Sequence, residues 1–187
     1  MAGPVAVRHI FVTLRGVEGH EDSTATMDSA DWQQLAPELA EHPVQVDLMA
    51  PLEDSSVLPA ATSTEVPAGV YRQIRLEVLP PSIVGGRSST EAGAAARKQN
   101  ACGDLLWNCA VLADRTTRPL LIGPEENSEA LGSSAIRISA DRIAGGTVMI
   151  LPGARRIYEM RFEPFLFVGS TSGEAVRLIP VFFVSPQ

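Results

Sequence analysis

Val66-Pro67-Ala68-Gly69-Val70-Tyr71-Arg72-Gln73-Ile74-Arg75-Leu76-Glu77-Val78 is the stretch whose reading decides the fold. Pro67 fixes its own φ and Gly69 tolerates positive φ, so the segment opens on a turn. Beyond the turn, side chains alternate. Val70, Arg72, Ile74, Leu76 and Val78 share one face, and Tyr71, Gln73, Arg75 and Glu77 the other. One largely aliphatic face and one polar face predict a strand packed on one side.

The rest of the chain repeats this grammar. Residues 5–14 and 44–48 read as strands, and residues 16–27 as a polar loop. Residues 31–35 fit a short strand or a helical turn, and residues 56–58 a short pairing segment. Residues 110–113, 119–122, 135–139, 146–151, 156–163 and 177–184 are further strand candidates. Pro80-Pro81 stops pairing because proline has no N–H to donate. Residues 92–98 are the one plausible helix, weakened by Gly93. Fifteen glycines and fourteen prolines suit short strands joined by many turns. The expectation is one all-β domain over residues 1–187: a Greek-key β-sandwich, immunoglobulin-like or prealbumin-like, with a long insertion around residues 85–134.

Composition narrows the function classes. The chain of 187 residues is 45% hydrophobic and 20% charged, as expected of a globular protein with a real core. Aromatic residues make up 5%, so aliphatic side chains must build that core. Fifteen Lys plus Arg against 22 Asp plus Glu give a net charge of −7. That balance argues against nucleic acid and anionic membrane surfaces as partners. No apolar run reaches the roughly 18 residues that span a bilayer, and no signal peptide is visible. The protein is therefore either cytoplasmic or an exported one whose signal is not in this sequence.

Three segments resemble a known family. They are Val46-Asp47-Leu48, the stretch from Val66 to Leu76, and a C-terminal hairpin pairing Tyr158-Glu159-Met160-Arg161-Phe162 with Arg177-Leu178-Ile179-Pro180-Val181. Together they resemble the bacterial domain-of-unknown-function 4382 family, whose members carry a "VDLL…LPAGTYTQIRL" pattern. The resemblance runs over residues 5–184. It departs at Met49, where the family has a second leucine, and over residues 85–134, which are longer here and carry the cysteines. It implies an exported cell-envelope module, often lipid-anchored, with a β-sandwich fold and no established activity. Any such anchor would lie outside this sequence.

Each candidate site has a plainer alternative. Cys102 and Cys109 have six residues between them, too many for the usual zinc or redox pair, and there is no second pair. A local disulfide in an exported protein is the better reading. Trp107 would then sit in a stapled loop, either anchoring a ligand or partner at the surface or packing back on the sandwich. His9, His20 and His42 have no metal-pair spacing. His20-Glu21 fails as a zinc-protease motif because Thr24 stands where the second histidine belongs. Glu18, His20, Asp22, Asp28 and Asp31 form an acidic stretch without EF-hand spacing, read as a solvated loop. Gly169-Ser170-Thr171-Ser172-Gly173 has the composition of a nucleophile elbow, but its flanks read strand–turn–strand, which makes it a hairpin turn. Gly85-Gly86-Arg87-Ser88-Ser89 lacks the P-loop lysine.

No cofactor is expected. The leading function is a non-enzymatic exported module that binds or assembles at the cell envelope, its partner a cell-surface protein or a glycan. The alternatives are a carbohydrate-active hydrolase with two carboxylates and a fibre subunit joined by strand exchange.

Overall fold

A computed structural model describes residues 6–50, 66–79, 101–103, 107–122, 135–153, 157–163, 167–169 and 176–187. The expected pairing segment at 56–58, the helix at 92–98, the turn at 170–173 and most of the 85–134 insertion lie outside the described residues.

The first strand, β1 (Val7–His20), is the spine. β2 (Gln33–Gln34), the single helical turn α1 (Glu38–Glu41) and β3 (Val44–Asp47) follow. β4 (Gly69–Tyr71) and β5 (Gln73–Val78) come from the Val66–Val78 stretch. β6 (Cys109–Leu112) and β7 (Thr117–Ile122) form a hairpin. Next come β8 (Ala135–Ile138), two 3-10 turns at Ala140–Arg142 and Ala144–Gly146, and β9 (Val148–Ile150). β10 (Tyr158–Glu163), β11 (Phe167–Gly169), β12 (Val176–Leu178) and β13 (Val181–Pro186) complete the chain.

Sheet order is β11-β12-β7-β6-β1-β5-β8, with β2 and β3 also paired to β1. All of these pairs are antiparallel except β12 with β7, which is parallel. Two ribbons, β4–β9 and β10–β13, stand apart from that sheet. One apolar core joins them: Ile10, Val12, Ile74, Leu76, Leu120 and Leu178 meet Tyr71, Val148, Phe182 and Val184 of the ribbons. The fold is all-β and sandwich-like, with the main sheet curled around this core.

The curl originates in β1. At Phe11 the strand pairs Cys109 of β6 on one edge and Asp47 of β3 on the other. At Glu18 it pairs Arg75 of β5 and Gln34 of β2. Since Leu14 pairs both Val44 and Val78, β6 and β5 follow one another along the same edge. Between them the ladder has a gap at Thr13, where the sheets part. Asn108, only 2% exposed, fills it. Its Oδ1 accepts the Thr13 N–H at 2.9 Å, and its Nδ2 donates to the Leu79 carbonyl at 2.6 Å. The Leu79 N–H in turn donates to the Thr13 carbonyl at 2.9 Å. A side-chain amide here stands in for a peptide unit, so the Thr13 N–H and the Leu79 carbonyl both find partners at the split.

Three expectations change. Residues 16–20 are strand, not loop, because β5 pairs them to the end of β1. The segment read as one strand over 177–184 is two, broken where Pro180 cannot donate. The C-terminal hairpin pairs Tyr158–Glu163 with Val181–Pro186, while Arg177 lies in β12 against Val168 and Leu121.

The Val66–Val78 stretch also departs from a single alternating strand. Ile74, Leu76 and Val78 are buried as expected, but Val70 is exposed and Tyr71 and Gln73 are buried at 1%. Gln73 is covered by the loop at Asp22 and Ala25, and the reversal of Val70 and Tyr71 comes from a bend at Arg72, whose N–H donates to the His20 carbonyl at 2.8 Å. β4 leaves the main sheet there and pairs β9, so the two halves present opposite parities to the core. Tyr71 anchors the bend. Its hydroxyl donates to the Pro67 carbonyl at 2.8 Å, the tyrosine-corner arrangement of Greek-key sandwiches. Its ring lies flat on Gly19, where a Cβ would stand 2.6 Å from the ring.

Candidate functional site

The site worth building is the pole of the sandwich where β1 ends, β4 begins and residues 21–32 cross between them. The loop is held by strand side chains. Gln73 donates from Nε2 to the carbonyls of Asp22 at 2.9 Å and Ala25 at 3.1 Å. Arg75 donates from Nη1 to the Met27 carbonyl at 2.7 Å, and Arg137 of β8 to the Ala25 carbonyl at 3.2 Å. The Arg75 guanidinium also pairs with Glu18 and lies 4.4 Å from the centre of the Trp32 ring. A planar, five-donor cation suits this triple task of pairing, stacking and carbonyl capture. The polar face expected to meet solvent therefore meets the loop.

Within the loop, His20 accepts the Asp22 N–H at Nδ1, 3.0 Å away, and contacts the Ala30 carbonyl from Nε2 at 2.8 Å. The second contact needs a proton on Nε2, so both ring nitrogens are engaged within the chain. The Thr24 amide, then its hydroxyl, hold the Asp22 carboxyl below its ordinary value of 3.8. Burial first, then the Glu21 charge, push the Tyr71 phenol above 10.0. Among the described residues no group of three His, Cys, Asp or Glu converges as a metal would require. The acidic stretch is a structured loop around its own backbone.

A hollow of about 470 Å³ opens beside the loop, lined by His20, Glu21, Asp22 and Asp31 on one wall and Pro67, Ala68 and Tyr71 on the other. Its charged lining is carboxylate. The outer face of the adjoining β4–β9 ribbon is apolar: Val70 is 40% exposed and Met149, opposite it, 39%, and Leu151 just past β9 is more open still. A second hollow of about 410 Å³ lies between the 3-10 turns and the β10–β13 ribbon, with Asp141, Arg142, Glu159, Arg161 and Phe183 of mixed charge in its walls.

The cysteines and Trp107 lie elsewhere. Cys102 and Cys109 are bridged, with Cα atoms 5.7 Å apart, and both are buried. Trp107 is 5% exposed and packs on Leu79, so the reading of Trp107 as a surface anchor is corrected. The staple turns the ring inward because Thr13 Oγ1 and Gln45 Nε2 both donate to the Trp107 carbonyl, at 2.6 and 3.1 Å. Gln45 also accepts the Ala101 N–H at 2.8 Å, fastening the bridged loop to β3.

Asn108, Gln45, Gln73 and Arg75 were invisible as working residues in the sequence. Their partners are 29 to 95 positions away, and no local pattern encodes such distances. Asp47 is similar: its carboxylate accepts the Ile10 and Met49 N–H groups at 3.1 and 3.0 Å and pairs His9 Nδ1 at 2.7 Å.

No curated protein and no solved structure matches the chain. The sequence pattern of one family does, over residues 2–142, ending before β9. Asp47, Tyr71, Gln73 and Arg75, the polar residues of the two motifs, all lie inside that span, and the chain belongs to the family described as Domain of unknown function (DUF4382).

Proposed function

We propose that the chain is a non-enzymatic binding module of the bacterial cell envelope, working outside the cytoplasm on a cell-surface protein or glycan. One observation carries this reading: four polar residues of the motifs, Asp47, Tyr71, Gln73 and Arg75, are each hydrogen-bonded to backbone. Asp47 caps two N–H groups, Tyr71 closes a corner, Gln73 grips two carbonyls and Arg75 a third. A catalytic group needs free lone pairs or protons aimed at open space; these side chains are committed to backbone, and the one oxygen among them without a partner, Gln73 Oε1, is buried. The buried Cys102–Cys109 bridge supports the oxidising compartment. No helix among the described residues is long and apolar enough to cross a membrane. The acidic net charge of −7 supports a partner other than nucleic acid.

Cell fractionation combined with thiol alkylation tests the address. The full-length gene product should appear outside the cytoplasm with both cysteines protected until reductant is added. Protein found in the cytoplasm with two alkylated thiols would overturn the reading. Binding without turnover is tested on arrays of glycans and cell-surface proteins, where saturable retention with unaltered ligand is expected and release of cleaved product would count against it.

A further inference from the structure

The hollow and the apolar ribbon face share the β4 segment, and that segment has an open edge. Val70 pairs Met149 across the ribbon. The Met149 N–H donates to the Tyr158 hydroxyl at 3.0 Å, and that hydroxyl donates to the Met149 carbonyl at 2.8 Å. Both backbone groups of Met149 therefore point away from β4. Directly opposed residues in an antiparallel ladder share one pair type. The N–H and C=O of Val70 must then point away from β9, to the side on which the Arg72 N–H, of the same parity, meets the His20 carbonyl at 2.8 Å. Ala68 has the same parity as Val70. Tyr158 closes the β9 edge with one hydroxyl; among the described residues no comparable group closes the β4 edge at Val70.

We infer that this edge takes an extended segment of a partner polypeptide in which Arg or Lys alternates or neighbours aliphatic residues. The inference rests on the binding-module reading above and names its partner class. Three features converge on such a segment. Outward N–H and C=O groups on β4 offer the main-chain bonds of an added strand. Glu21, Asp22 and Asp31 supply three carboxylates in the adjoining hollow, and no Lys or Arg lines it. Arg72 stands close by, its guanidinium donating to the Glu21 carbonyl at 3.4 Å. Val70 and Met149 stand opposite each other and are exposed, as is Leu151, which has the parity of Met149, so the outer face of the ribbon offers a row of apolar side chains where single exposed ones would be ordinary. The partner's cations would meet the carboxylates while its apolar side chains cover the ribbon. Charge complementarity of this kind sets specificity and association rate. An anionic glycan or a nucleic acid is repelled by the same carboxylates. A second copy of a chain with net charge −7 lacks the required cations on average.

The test is a selection of random 12-residue peptides on the folded full-length protein, followed by titration of the enriched sequences. Enriched peptides should carry Arg or Lys beside aliphatic residues. Met149→Asp should weaken their binding at least tenfold, as should the double change Glu21→Gln with Asp31→Asn. Both sites are exposed, so the variants should keep the wild-type circular dichroism and denaturation midpoint, and raising salt from 50 to 300 mM should weaken wild-type binding several-fold. Amide shifts on titration should centre on residues 68–72. The inference is overturned if no peptide enriches, if enriched peptides lack cations, or if their binding ignores both variants. Concentration-dependent dimerisation lost on Met149→Asp would assign the face to a second copy, and binding to phosphatidylcholine vesicles lost on the same change would assign it to lipid; either also overturns it. Glycan retention on an array with no peptide enrichment would sink this inference while leaving the binding-module reading intact.

Discussion

Replacing Gln73 by alanine separates the structure's reading from the one its strand position suggests. On an alternating strand Gln73 belongs to the outer face, where truncation costs well under about 1 kcal/mol. In the fold it is 1% exposed, and its amide nitrogen binds the Asp22 and Ala25 carbonyls at 2.9 and 3.1 Å. Alanine removes both bonds, each worth about 1 kcal/mol net, and leaves the Asp22 carbonyl only the Ala25 N–H at 3.5 Å and the Ala25 carbonyl only Arg137 at 3.2 Å. It also opens a small cavity where the side-chain methylenes stood. The sum is about 2–4 kcal/mol, comparable with Ile74→Ala, which deletes a fully buried aliphatic chain at about the same cost. Gln73→Glu sharpens the test. The carboxylate keeps the shape but turns a donor into an acceptor facing two carbonyl oxygens, so it should cost at least as much as alanine at neutral pH and less in acid. Urea denaturation gives the stability change, and native-state hydrogen exchange of residues 22–27 reports whether the loop loosens first. A Gln73→Ala protein within about 0.5 kcal/mol of the wild type, with unchanged exchange in the loop, would refute the clamp.

Asn108→Ala should cost about 2–4 kcal/mol, since it orphans the Thr13 N–H and the Leu79 carbonyl at the split between β5 and β6, and Asn108→Asp, which sets a buried carboxylate against the Leu79 carbonyl, should cost at least as much at neutral pH; equal midpoints for wild type and Asn108→Ala would contradict the bridge. Gly19→Ala places a Cβ 2.6 Å from the Tyr71 ring and should destabilise by about 1–3 kcal/mol through displacement of that ring, a cost that Tyr71→Phe, which keeps the ring, does not relieve. The carboxyls of Asp22, Asp114 and Asp141 are all held below 3.8 by hydrogen bonds from Thr24, Thr116 and Ser139. Lowered values in the folded state mean that their contribution is present above about pH 4 and lost as pH falls through the folded values. Denaturation midpoints should drop on acidification below pH 4, and less so in Asp114→Asn; a stability that rises over that window would reverse the sign.

The sequence by itself determined the class of the molecule. Alternation in residues 73–78, the turn at Pro67 and Gly69, and short apolar segments spaced by turns require strands with one buried side, because period-two patterning is a property of the backbone. The family was also legible there, in the motifs around Asp47 and Tyr71. The tertiary structure alone decided where the polar residues of those motifs point. Tyr71 lies inside because the chain bends at Arg72 and passes from one pairing partner to another, and the partner, β9, is 77 to 81 positions away; Gln73 lies inside because the loop at Asp22 and Ala25 closes over it. Trp107 lies inside because the bridge and two donors on β1 and β3 turn its carbonyl, and with it the ring, toward the core. Local patterns report the direction of a side chain relative to its own strand. Only the packed sheets fix what stands on the other side.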